Sequence, residues 1–162
     1  MDLFVLRHGE AGNRQKMIVA DAKRTLTAVG RKEIDEIAKG LLRLKIRPAH
    51  IITSPLVRAR ETAEIVAKVQ KSKNLEEWEE LKPEGNRQQF YEKLSKLKLD
   101  SSILVVGHEP YLSTMICDMI GASGGRILLK KGGLARVRIE GFVPKMRGEL
   151  RWLLSPRLLK KF

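Results

Sequence analysis

The apolar run Leu3-Phe4-Val5-Leu6 passes without a break into Arg7-His8-Gly9. A short run of aromatic, branched and leucine side chains reads as a strand buried on both faces, and such strands belong to parallel sheets covered by helices. A strand of this kind ordinarily ends in turn residues. Here it ends in a guanidinium and an imidazole held side by side, at the carboxyl end where ligands bind in open α/β sheets.

The remainder of the chain repeats the strand-then-helix pattern. Thr27 suits an N-cap, and Ile34, Ile37, Ala38, Leu41 and Leu42 recur at helical spacing to about Leu44. His50-Ile51-Ile52-Thr53 is a second buried strand, closed by Ser54-Pro55, with Pro55 suited to the first turn of the next helix. That helix carries Leu56, Ala59, Ala63, Val66 and Val69 as its apolar stripe and Arg58 in its opening turn. Leu75 to Leu81 reads either as an edge strand or as an irregular loop, and Phe90, Leu94 and Leu97 suggest a third helix. Ser102 to Gly107 is a central strand that delivers His108-Glu109-Pro110, and a helix follows to about Ile120. Strands are then expected at Arg126 to Lys130, Leu134 to Ile139 and Glu149 to Leu154, with Gly132-Gly133 as a turn. Arg157 to Phe162 reads as a frayed basic tail, and Gly12 to Arg24 as a polar loop at the mouth of the site. The expected fold is α/β: three layers, α/β/α, with a mostly parallel central sheet and right-handed crossovers, in one domain spanning residues 1–162.

Composition limits the chemistry. One cysteine, Cys117, among 162 residues rules out an internal disulfide framework and paired-cysteine metal sites. The opening apolar run is too short for a signal-peptide core, and no later run reaches membrane-spanning length; a cytoplasmic protein is expected. The 32 Lys and Arg against 19 Asp and Glu give a net charge of +13. From Gly121 to Phe162 there are eleven basic and two acidic residues, which places +9 of the excess there. A basic surface steers anionic substrates. Aromatics are only 5% of the chain, and no zinc-finger, RNA-recognition or KH-type signature accompanies the charge.

A parallel sheet built this way gathers Arg7 and His8, Ser54 and Arg58, and His108 along one edge. Two arginines and two histidines with no metal-ligand pattern point to phosphate. Guanidinium forks match phosphate oxygens, a helix amino terminus adds its free amides, and imidazole is a nucleophile toward phosphorus. The third histidine, His50, precedes its strand and stands apart. The residues alone therefore predict phosphoryl transfer without a metal or cofactor.

Leu6-Arg7-His8-Gly9-Glu10-Ala11 resembles the RHG signature of the histidine phosphatase superfamily, which has the phosphoglycerate mutase-like fold. Leu26-Thr27-Ala28-Val29-Gly30, Ser54-Pro55-Leu56-Val57-Arg58-Ala59 with Thr62, Glu80-Leu81-Lys82-Pro83, Gly107-His108-Glu109-Pro110 and Trp152-Leu153-Leu154-Ser155-Pro156 follow it. In order and spacing the series is similar to the small SixA-type phosphohistidine phosphatases. The resemblance implies that His8 attacks phosphorus and is transiently phosphorylated, while Arg7, Arg58 and His108 bind the transferring oxygens. His8 must be neutral to attack, with its other ring nitrogen donating to a fixed acceptor such as a backbone carbonyl. His108 serves best protonated. The arginines help keep His8 unprotonated.

Superfamily members that act on alcohol phosphates use a carboxylic acid for the leaving group; the candidate is Glu80, with Glu79 as its neighbour in register, and a phosphoramidate needs neither. Thr25 stands where the family commonly has proline, and Glu61 where glutamine commonly precedes Thr62. The expected function is hydrolysis of phosphohistidine on a protein. The alternatives are a phosphomonoesterase acting on small sugar or nucleotide phosphates and, from another class, a polyanion- or nucleic-acid-binding module. The expected partner is accordingly a phosphorylated protein or a small phosphate ester, not a membrane.

Overall fold

The computed structural model of the chain describes residues 1–12, 21–122, 126–143 and 145–162. Six strands form one sheet in the order β3-β2-β4-β1-β5-β6: β1 (Asp2–Arg7), β2 (His50–Thr53), β3 (Leu75–Glu77), β4 (Ser102–Gly107), β5 (Leu134–Gly141) and β6 (Arg147–Leu154). β1 pairs parallel with β4, as do β2 with β4 and β3 with β2. The β5–β6 hairpin joins antiparallel to the other side of β1. The mostly parallel sheet expected from the sequence is thus present, with an antiparallel pair completing it.

Alternation along β1 divides the core. Leu3 and Val5 point to the face covered by α3 (Arg87–Leu94) and α4 (Tyr111–Ile120), where they meet Ile103, Val105, Phe90 and Met115. Phe4 and Leu6 point to the opposite face, toward α1 (Ala28–Arg43) and α2 (Val57–Gln70), among Ile34, Leu41, Ala63 and Val66. Every residue from Leu3 to Leu6 is buried, as a strand covered by helices on both faces requires. The helix after β1 and the helix after β4 lie on opposite faces, although the two strands are neighbours. The crevice between their carboxyl ends is therefore a topological switch point, where open α/β sheets bind ligands.

Thr27 caps α1 as expected, its Oγ1 accepting from the Gly30 amide at 2.9 Å. Gly30 is required there, because a Cβ would lie 2.2 Å from the Glu10 carbonyl oxygen, backbone against backbone. α2 begins later than Pro55 suggests: Leu56 is its N-cap, so Pro55 precedes the helix, and Arg58 still lies in the first turn. Leu75 to Leu81 divides into the short edge strand β3 and a 3-10 turn at Glu79–Leu81.

Two expectations fail. Residues 126–130 form no strand: Leu129 alone is fully buried while Leu128 is 73% exposed, and the Leu129 carbonyl accepts from the Arg7 guanidinium at 3.0 Å. The carboxyl end is not frayed either. Ser155 Oγ caps a short helix, α5 (Pro156–Leu159), by accepting from Leu158, and Leu159 is fully buried in the core on the α1 side. Gly40 permits this approach, since a Cβ on it would meet the Leu159 carbonyl oxygen at 2.1 Å. Of the polar loop expected between residues 12 and 24, residues 13–20 lie outside the described residues, and Asp21–Lys23 forms a 3-10 turn.

Replacing a side chain in a frayed tail changes stability little, whereas truncating a buried leucine removes about 2–5 kcal/mol. Urea unfolding of Leu159→Ala will show a loss in that range; a change below about 0.5 kcal/mol would mean that α5 is not docked.

Candidate active site

β1 and β4 run in register to Arg7 opposite Gly107, and one further backbone bond, His8 N–H to the Gly107 carbonyl at 3.1 Å, carries the pairing past the strand ends. His8 and His108 therefore leave adjacent strands at the same level, and their ring centroids stand 5.0 Å apart. α2 brings Arg58 to the same point. The three side chains are only 6%, 2% and 4% exposed, respectively, for His8, His108 and Arg58.

Four hydrogen bonds fix the state of His8. Its Nδ1 donates to the Gly9 carbonyl at 2.7 Å, which leaves Nε2 as the lone-pair nitrogen, and Nε2 accepts from Arg58 Nε at 3.2 Å. The Gly9 amide donates to Thr62 Oγ1 at 3.1 Å, and the Thr62 hydroxyl donates to the Arg58 carbonyl at 2.8 Å. The four close a ring through His8, Gly9, Thr62 and Arg58. A backbone-carbonyl acceptor for the second ring nitrogen is what neutral His8 needs, and the glycine of the Arg-His-Gly turn supplies it.

Arg7 is anchored from the opposite side. Besides its bond to Leu129, its backbone carbonyl accepts from the Gly132 amide at 3.0 Å and its amide donates to the Gly133 carbonyl at 3.1 Å. Gly132 has φ +69°, a backbone conformation in which residues other than glycine are strained. Arg7 Nε is buried and has no hydrogen-bond partner among the described residues.

Two supporting residues are not evident from periodicity. Asp21 holds the Arg58 guanidinium, through its carboxylate at 3.1 Å and its backbone carbonyl at 2.9 Å, and also pairs with Arg24. Burial works to raise its pKa, but Arg24 and Arg58 prevail and hold the carboxyl below its ordinary value. Ser54, fully buried, places its Oγ 2.8 Å from His108 Nε2 while accepting from the Leu56 amide. His108 Nδ1 is buried without a partner. Ser54 is expected at this edge from its place after a buried strand and from the Ser54-Pro55 motif; for Asp21 there is no signal in the sequence.

Burial is the chief cause of the low histidine pKa values. It pushes His8 down to about 4, with the positive charges of Arg58, Arg7 and Lys131 adding to the effect and the Gly9 hydrogen bond opposing it. For His108 burial again leads, followed by His8 and Arg58, and the value falls to about 3. Both imidazoles are neutral at pH 7. The arginines help keep His8 unprotonated, as expected, and desolvation is the larger cause. The protonated form of His108 expected from the sequence is disfavoured by this environment before an anion arrives.

Among the described residues no hydrogen bond joins Glu80 to His8, Arg58 or His108. The Glu80 carboxylate receives Lys93 Nζ at 3.0 and 3.3 Å. Burial favours its neutral form, but its own backbone amide and Lys93 outweigh that and keep its pKa low. Glu79 pairs with Lys82 on the surface. Glu61, beside Thr62, accepts from the Leu26 amide and pairs with Arg31. His50, at the start of β2, faces Glu76. Among the described residues no group of three or more His, Cys, Asp or Glu side chains is arranged to hold a metal ion, and no helix is long and apolar enough to cross a membrane.

Known proteins share this arrangement of strands and helices. Residues 3–93 match the model of the histidine phosphatase superfamily (branch 1). An uncharacterized protein of Picosynechococcus is 33% identical over 141 residues, which is 85% of either chain. The structure of the protein histidine phosphatase SixA complexed with tungstate superposes with a TM-score of 0.87 at 25% identity, over 98% of this chain and 99% of that one. The alpha-ribazole phosphatase from Shigella flexneri has a TM-score of 0.76 at 20% identity, over 96% and 97%, a likeness of fold.

The two buried histidines predict a pH-dependent stability. Unfolded, each binds a proton near 6.5; folded, only near 4 and 3. Between those values the unfolded chain holds more protons, so stability is full above about pH 6.5 and declines as the pH falls toward 3. Urea midpoints at about pH 7.5 and 4.5 will show the decline, and the His8→Gln/His108→Gln double variant will show less of it.

Proposed function

The chain belongs to the histidine phosphatase superfamily and is a phosphatase, and we propose that it hydrolyses phosphohistidine on a protein through a covalent intermediate at His8. The observation that carries this reading is the hydrogen-bond ring that leaves the His8 Nε2 lone pair exposed only to Arg58. An incoming phosphoryl group draws the Arg58 guanidinium to its oxygens, and Nε2 is then free to attack.

In the first step His8 Nε2 forms a bond to phosphorus as the bond from phosphorus to the substrate nitrogen breaks, and the leaving imidazole takes a proton from solvent. In the second step water attacks phosphorus, the bond to Nε2 breaks, and inorganic phosphate leaves with the water oxygen. The imidazole returns to its starting tautomer because Gly9 holds Nδ1–H throughout. Arg7 and Arg58 neutralise the three peripheral oxygens in both steps. In the tautomer where Ser54 Oγ donates to His108 Nε2, the unpartnered Nδ1 carries the hydrogen and donates a hydrogen bond to a phosphoryl oxygen; a bound dianion also raises the His108 pKa toward the protonated form. The residues present supply both the nucleophile and the charge stabilisation that these two steps need.

Two features favour a phosphoramidate over an alcohol phosphate. An alkoxide leaves poorly and needs an acid, yet Glu80 is kept ionised by Lys93. An imidazole leaves readily without one. The full-length likeness to the protein histidine phosphatase SixA points the same way. The protein is read as acting in the cytoplasm.

Mixing enzyme with a phosphohistidine protein and quenching in alkali will trap acid-labile phosphate on His8, and His8→Ala will lower turnover by at least about a thousandfold. Glu80→Gln will leave phosphohistidine turnover within about threefold. Selective turnover of sugar or nucleotide monoesters, with loss on Glu80→Gln, would overturn the assignment.

A further inference from the structure

The loop before β5 is stitched to the site at three points. The Leu129 carbonyl receives the Arg7 guanidinium, the Gly132 amide donates to the carbonyls of Arg7 and His8 at 3.0 and 3.3 Å, and the Gly133 carbonyl receives the Arg7 amide. Between these anchors, Lys130 and Lys131 are exposed at the tip. The fixed backbone holds the Lys131 Cα one residue from the amide bonded to His8. Its charge reaches the imidazole, where it is one of the three cations that lower the His8 pKa. Arg58 is bound by Asp21 and Arg24 by the same carboxylate, whereas Lys131 has no carboxylate partner among the described residues.

A cation at this position is not needed to bind the transferring phosphoryl group, which Arg7, Arg58 and His108 already surround. We infer that Lys131 is a specificity-determining residue that binds a second anionic group, a carboxylate carried by the substrate close to its phosphoryl group. The substrate class is thereby narrowed to phosphohistidines flanked by Asp or Glu. The inference rests on the phosphatase reading only in taking the His8–Arg58–His108 crevice as the place where the phosphoryl group binds.

Phosphonates that are not hydrolysed test it by calorimetry at low salt. Methylphosphonate presents one anionic group, and phosphonoacetate and 3-phosphonopropionate present a carboxylate beside it. The wild-type protein will bind at least one carboxylated probe about fivefold more tightly than methylphosphonate, and about 0.5 M salt will shrink the preference. In Lys131→Ala the ratio will fall to about one, in Lys131→Arg it will be largely kept, and in Lys71→Ala, at the far end of α2, it will be unchanged. A wild-type ratio of one, a ratio retained in Lys131→Ala, or no binding of any probe overturns the inference. Failure to hydrolyse phosphohistidine with the binding ratio intact would count against the phosphohistidine reading alone.

Discussion

The hydrogen bond from His8 Nδ1 to the Gly9 carbonyl decides which end of the imidazole meets a ligand, and much of the surrounding structure serves to hold it. Gly9 passes close against Ile34, where a Cβ would come within 2.7 Å of the side chain. Thr62 then ties the Gly9 amide to the helix that carries Arg58. Tautomer, turn and helix position are thus one linked constraint, and relaxing any of them releases the other two.

The same enclosure sets the charge. Two imidazoles are taken almost wholly out of water beside two arginines, and the protein meets that cost by leaving both rings neutral rather than by pairing them with carboxylates. The acidic residue that does enter, Asp21, is assigned to the arginines. It steadies the Arg58 guanidinium without bonding to His8. An anion entering this crevice meets neutral rings and fixed cations, which is the arrangement that favours phosphate over water.

Most of the scaffold was legible in the sequence because it is periodic. β1, β2, β4 and their following helices have apolar residues at spacings of two or near four, and three such units force their carboxyl ends to one edge. That is enough to bring His8, Arg58 and His108 together on paper. What failed depends on long-range contacts that no local pattern encodes. Ile127-Leu128-Leu129 is as apolar as a strand, but its backbone is used by an arginine more than 120 residues away. Leu158-Leu159 follows a basic residue at the chain end and reads as a tail, while a glycine in α1 leaves the gap that receives it. Nor does any local pattern show that Lys93, thirteen residues on, engages Glu80.

β1 lies near the middle of the sheet but leaves the ribosome before every strand it pairs with. Its partners are β4, about a hundred residues later, and β5, later still. Until both arrive, the nascent chain carries Leu3 to Leu6 as an unpaired apolar segment, and the Arg-His-Gly turn has no floor. Pairings this distant in sequence form slowly and leave apolar surface exposed meanwhile. Interrupted synthesis therefore yields chains that contain His8 but not the pocket, and these are recognisable to chaperones and proteases by that same uncovered strand.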